Sequence, residues 1–165
     1  MVKRIVALGV FLIIVIGLFS GCGNDNKYNA VLYSDATVWM HEDFLIENLT
    51  RDAVYDGIPL DDPLYPKNIT HLIQSKEDFD KVFTEFPTEL DFEKEMLCIY
   101  IFSCNYMGLS YEISEMSLED NMLKIEVNFV MPGFGASGSA TVPKQRCLAV
   151  KIDRLDIETV EFSEK

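Results

Sequence analysis

Positive charge is scarce in this chain: its 165 residues hold 14 Lys and Arg against 27 Asp and Glu, a net charge of −13. A nucleic-acid binder must neutralise phosphates with cations, so this balance argues against DNA or RNA as a partner. Histidine is scarcer still. There are two, His41 and His71, and His41-Glu42 has no second His four positions on, so a zincin helix is absent. The four cysteines, Cys22, Cys98, Cys104 and Cys147, show no C-x-x-C spacing, and the acids near Asp56, Asp61 and Asp62 lack the EF-hand order. No metal site and no cofactor are expected. The longest apolar run, residues 5–19, is also short for a membrane span: as a helix it reaches about 22 Å against a hydrocarbon core of about 30 Å.

What is present at the amino terminus has a definite layout. Lys3 and Arg4 precede the apolar run, and Leu18-Phe19-Ser20-Gly21-Cys22 follows it. Charge, short apolar core and small residues form the pattern of a secretory signal. The last five residues resemble the lipobox of bacterial lipoproteins, with Phe19 at a position more often Leu. The resemblance implies that the Cys22 thiol carries a diacylglyceryl group and that residues 1–21 are removed. Two acyl chains meet the requirement for stable anchoring. The alternative is an uncleaved single-span anchor. Residues 22–29 are then the lipidated cysteine and a short polar tether, and 30–165 a single globular domain on the extracytoplasmic face of a bacterial membrane. Its negative charge argues against a second, electrostatic attachment to anionic lipid.

Within the body, residues 75–86 place Phe79, Val82, Phe83 and Phe86 at helical spacing, with Ser75 as cap, acidic Glu77 and Asp78 in the first turn, and Pro87 as stop. Residues 96–102 are a nearly unbroken apolar run, as for a strand buried on both faces. In 122–130 Leu123, Ile125, Val127 and Phe129 alternate with polar residues, which predicts a strand with one wet face. Asp120-Asn121 suits a tight turn back to 111–118. Residues 69–74, 145–152 and 157–162 read as further strands. Residues 43–56 read as a helix with Ile46, Leu49 and Ala53 on one side, and the proline-rich 57–68 as a loop. The short connections favour antiparallel pairing. The expectation is an α+β domain: a mainly antiparallel, sandwich-like sheet with one or two helices packed on it.

Chemical motifs are sparse. Gly133-Phe134-Gly135-Ala136-Ser137-Gly138 matches G-x-G-x-x-G, but Ser139 to Pro143 lead within a few residues to the next strand, so a glycine-rich loop is expected in place of a nucleotide-binding helix. Gly135 to Ser139 approach a nucleophile elbow around Ser137, yet both histidines precede it, opposite to the order in α/β-hydrolases. No catalytic residue is assigned. With Cys22 used, three cysteines remain; buried free thiols are expected, with one disulfide as the alternative. Asn48-Leu49-Thr50 and Asn68-Ile69-Thr70 match the glycan acceptor pattern and are read as coincidence. Residues 35–95 hold sixteen acids and five bases. Against that background Lys144, Arg146, Lys151 and Arg154 stand out as a candidate partner- or anion-binding edge, set against ordinary surface charges balancing neighbouring acids.

From residue 75 onward the layout resembles the C-terminal domain of the PrcB family, lipoprotein subunits of bacterial surface protease complexes. The features are the helix carrying Glu77-Asp78-Phe79, the stretch Asp91-Phe92-Glu93-Lys94-Glu95-Met96-Leu97 entering a strand, and Pro143 ahead of Leu148-Ala149-Val150-Lys151-Ile152. Where that family tends to have a Gly-Gly-Tyr turn, this chain has Met107-Gly108-Leu109-Ser110-Tyr111. The resemblance implies a non-catalytic accessory that stabilises a protein partner. A small-ligand-binding lipoprotein and an unrecognised hydrolase are the alternatives.

Overall fold

Alternation at two different depths organises this molecule into three layers. The computed structural model describes residues 28–50, 68–107, 110–130 and 138–165. Seven strands are described: β1 Val31–Tyr33, β2 Ile69–Ile73, β3 Glu95–Met107, β4 Ser110–Glu119, β5 Met122–Val130, β6 Gly138–Asp153 and β7 Thr159–Glu164. They form a four-stranded sheet in the order β1-β6-β3-β2 and a three-stranded sheet in the order β4-β5-β7. Two short helices, α1 Glu42–Glu47 and α2 Lys76–Val82, and a 3-10 turn at Ala36–Trp39 complete the described elements. This is the α+β sandwich expected from the pattern.

Successive side chains of a strand point to opposite faces, and β3 uses both. Met96, Cys98, Tyr100 and Phe102 face the smaller sheet, meeting Leu123, Ile125, Val127, Val160 and Phe162. Leu97, Ile99 and Ile101 face the other way, into a second core with Ala36, Met40, Val82 and Phe83. The unbroken apolar run of 96–102 is thus the signature of a central strand in a middle layer. β5 shows the opposite case: Leu123, Ile125 and Val127 are fully buried, while their neighbours face water. At roughly 25 cal/mol per Å², these two cores are the main stabilising term.

The β4–β5 hairpin closes on Asp120 and Asn121, whose φ angles of 45° and 62° are both left-handed. Two such residues make the turn whose twist matches antiparallel strands, and Asp and Asn tolerate that region better than most. Four features depart from the expected elements. The helix predicted over 75–86 stops at Val82, because Phe83 turns extended and bridges Met40, with Thr84 N–H bonded to the Trp39 carbonyl at 2.8 Å. Phe83 and Phe86 therefore reach the core on a returning strand-like segment, with Pro87 beyond the stop. The helix predicted over 43–56 is shorter in its described part, since Asn48 caps α1 by donating from Nδ2 to the Phe44 carbonyl at 2.9 Å. Its packed residues are Phe44 and Leu45, and Ile46 is exposed. Positions 51–56 of that expected helix and most of the proline-rich loop lie outside the described residues.

The third departure is β7, which pairs parallel to β5. The chain leaves β6 at Asp153, crosses between sheets, and restarts beside the hairpin turn, where Glu158 N–H bonds the Asn121 carbonyl at 2.9 Å. Starting from that end, β7 can only run alongside β5 in the same direction. The fourth is β6, which begins at Gly138 rather than near 145. Its pairing with β3 jumps from Cys104↔Lys144 to Tyr106↔Ser139. Pro143 lies inside that irregularity, where a residue without an N–H does least harm to the ladder.

The strands give the sandwich two poles. One gathers the hairpin turn at Asp120-Asn121, the β6–β7 crossing and the start of the fold. The other gathers Met107, Ser110, Val130 and Gly138, which face one another across the ladders. Tyr28 is already buried at the first pole, and its carbonyl accepts from Asp153 N–H at 3.0 Å. Asn29 Nδ2 donates to the Asp153 carboxylate at 2.6 Å. The folded body thus starts at least two residues before the boundary expected at 30.

Candidate functional site

β6 carries three of the four predicted basic residues and separates them. Lys144 is exposed. Arg146 lies toward the smaller sheet, its guanidinium 5.4 Å from the Tyr111 ring centre and donating to the Ser34 carbonyl at 3.3 Å. Lys151 is on the helix-facing side and pairs with Glu95 at 2.7 Å, both side chains largely covered. That bond holds the Glu95 carboxyl below its ordinary range and raises the Lys151 ammonium. Arg154, past the strand end, donates to the carbonyls of Phe92, at 3.2 Å, and Gln74. An alternating strand cannot present Arg146 and Lys151 on one face. The structure brings the four to no common edge; Arg146, Lys151 and Arg154 each tie local segments together.

Among the described residues the three cysteines, Cys98, Cys104 and Cys147, are free. Cys98 and Cys147 are buried on opposite faces of the middle sheet, which precludes a bridge between them without moving the backbone. Burial pushes the Cys98 thiol up to about 12 and the Cys147 thiol further in the same direction, with Asp35 adding to the second. Such thiols are poor nucleophiles and poor ligands at neutral pH. Cys104 is half-buried.

His41 precedes α1, its Nε2 at 3.1 Å from the Asp80 carbonyl oxygen. His71, on β2, packs against Phe44 with ring centres 5.4 Å apart and planes tilted by 60°, and no described residue bonds its buried Nε2. Burial lowers its pKa. Between the sheets, Tyr100 OH donates to Glu164 Oε1 at 2.9 Å and accepts from Asn68 Nδ2 at 2.7 Å. Burial, then the Glu164 carboxylate, drives that phenol far above its usual value. The bonds tie β3, the start of β2 and the end of β7 together. They also employ the amide of one glycan-type triplet, Asn68, as the α1 cap employs that of the other, Asn48. Residues 131–137, with most of the G-x-G-x-x-G run and Ser137, lie outside the described residues; Gly138 opens a strand and not a helix.

An open depression of about 480 Å³ is lined by Glu89, Leu90, Asp91 and Glu95. It is acid-walled, unlike the apolar pocket a small hydrophobic ligand requires. Among the described residues no group of three or more His, Cys, Asp and Glu could hold a metal ion. No described helix is long and apolar enough to cross a membrane.

The surface that the sequence could not single out is the rim of β4. This strand pairs only with β5, so it forms an edge of the smaller sheet. Its register places Tyr111 opposite the half-exposed Phe129, and Ile113, Met116 and Leu118 opposite the inward-facing Val127, Ile125 and Leu123, while Glu112, Glu115, Ser117 and Glu119 lie opposite outward-facing partners. Ile113 and Met116 are half-buried and Leu118 is 47% exposed, because the edge strand overhangs the core. A bulge at Ser114, whose hydroxyl bonds the Glu126 carbonyl and carboxylate, keeps both rows in phase on either side. The turn at Asp120-Asn121 already pairs 111–118 with 122–130; the place of 111–118 at an edge depends on strands far away in sequence.

These observations define a class by architecture: a two-sheet sandwich with a helical layer. No protein-family model, curated protein or solved structure matches the chain.

Proposed function

We propose that this protein is a membrane-tethered, non-catalytic module that binds and stabilises a protein partner on the extracytoplasmic face of a bacterial membrane, anchored by lipid on Cys22. The observation that carries the reading is the position of Tyr28, buried in the core six residues after Cys22. At about 3.5 Å per residue, six steps span at most about 21 Å. With lipid on Cys22 the body would be held within that reach of the bilayer by its own first residues, which supports the reading as a tethered domain. Further support comes from the chemistry of the interior: Cys98, Cys147, Tyr100 and Tyr111 have raised pKa values through burial in packed cores, not through convergence on a reacting atom. The resemblance of residues 75–152 to PrcB C-terminal domains favours a surface protease complex as the partner.

Intact mass of the protein extracted from bacterial membranes tests the anchor. A chain beginning at Cys22 with added diacylglyceryl mass is expected, and Cys22→Ser should abolish both cleavage and lipid. Retention of Met1 with no lipid mass overturns the anchor. Cross-linking on intact cells, followed by detergent extraction, tests the partner; recovery of self-cross-links alone, across growth conditions, counts against it.

A further inference from the structure

We infer that the open edge of β4 is a docking strip for an extended segment of a partner protein in which basic and apolar residues alternate. The inference rests on the binding-module reading and names the surface and the chemistry of its partner.

An edge strand offers unpaired N–H and C=O groups, and an extended chain can add to it as one more strand. Between Glu112 and Glu119 no described backbone group outside β5 bonds to β4; near Tyr111 the Ser34 hydroxyl approaches the carbonyl at 3.5 Å. A strand added there would place alternate side chains on the two faces of the smaller sheet. On the inward face they would meet Ile113, Met116 and the half-exposed Leu118, an apolar row. On the outward face they would meet Glu112, Glu115 and Glu119. Lys124 neutralises Glu119 at 2.6 Å, but no described residue pairs with Glu112 or Glu115. The complementary segment therefore carries Lys or Arg at every second position and apolar residues between.

The same charges argue against a second copy of this chain as the occupant. Two β4 edges laid together would set glutamates against glutamates in a molecule of net charge −13.

The test uses the full chain in detergent micelles with two acetylated, amidated octapeptides of identical composition, one alternating Lys-Val and one ordered Lys-Lys-Val-Val. Binding is read by fluorescence anisotropy, and its location by hydrogen exchange. The alternating peptide is expected to bind at least about tenfold tighter and to slow exchange in 112–119. The double variant Glu112→Lys, Glu115→Lys is expected to lose about tenfold of that affinity and to gain it for a Glu-Val peptide, with its thermal unfolding unchanged, since both side chains are exposed. Equal binding of the two Lys peptides, or protection elsewhere than 112–119, overturns the inference. So does protection of 112–119 that rises with protein concentration when no peptide is present, which would mark a second copy. A cell-surface partner that cross-links to another face would sink the strip while leaving the tethered module standing.

Discussion

Two buried thiols and one half-buried imidazole decide how single residues of this protein answer to their surroundings. Cys98 and Cys147 sit inside separate cores with raised pKa values. In the native protein both are expected to resist a maleimide at neutral pH and to react fully in guanidinium, read by peptide mass spectrometry. A disulfide peptide linking them would contradict the geometry. His71 gives a pH dependence whose sign follows from linkage. Burial lowers its folded pKa below the ordinary 6.5, so the unfolded chain takes up a proton first. Stability from this group is intact above about 6.5, falls as pH drops through that value, and levels off below the depressed folded pKa. Thermal midpoints measured between pH 7 and 5 should fall less steeply in His71→Leu than in the parent chain.

At the scale of elements, two short signals terminate or begin structure. Ser75 Oγ accepts from the Asp78 N–H at 3.1 Å, and Glu77 and Asp78 complement the positive end of α2. Ser75→Ala should cost about 1 kcal/mol in urea unfolding, with Ser75→Asn retaining most of it. At the hairpin, Asn121 at φ 62° tolerates Gly, whereas Asn121→Val forces a β-branched residue into the left-handed region at about 1–2 kcal/mol. The contrast between the two variants is the measurement. These signals were readable because cap, acid and turn residue act within three or four positions of each other. Burial was readable wherever period two or its absence was clear, as in β5 and β3. The end of α2 was not, because the Met40 bridge that captures Phe83 lies some forty positions upstream. The parallel β7 and the long β6 were hidden for the same reason: short connections predict that neighbours pair, and here the described strands change sheet three times, after β3, β5 and β6. The basic residues of β6 looked like an edge only while their faces were unknown. Glu112 and Glu115 carried no distinguishing signal until β4 was placed at a rim.

For the whole molecule, closure of the sandwich depends on its last segment. Ile157, Val160 and Phe162 fill the core between sheets, Phe162 stacking on Tyr100 at 5.2 Å, and Glu164 accepts from Tyr100 OH. A chain ending after Asp156 uncovers one side of Leu123 and Ile125 and loses several large buried side chains, each worth about 2–5 kcal/mol when truncated. That total approaches the ~5–15 kcal/mol of a whole domain. Thermal circular dichroism of the truncated chain should show no cooperative transition, where the full chain shows one.

The two poles of the sandwich carry a consequence for height. On the tethered reading, the pole with Tyr28 and the Asp120-Asn121 turn lies next to the lipid headgroups. Nine residues of β5 at about 3.3 Å each then lift Val130 and its neighbours roughly 30 Å away. On that reading the fold would act as a mast whose summit is the pole with Met107, Ser110, Val130 and Gly138. A partner seated at the summit is met one domain's length above the bilayer, while one lying along β4 runs down the flank toward it.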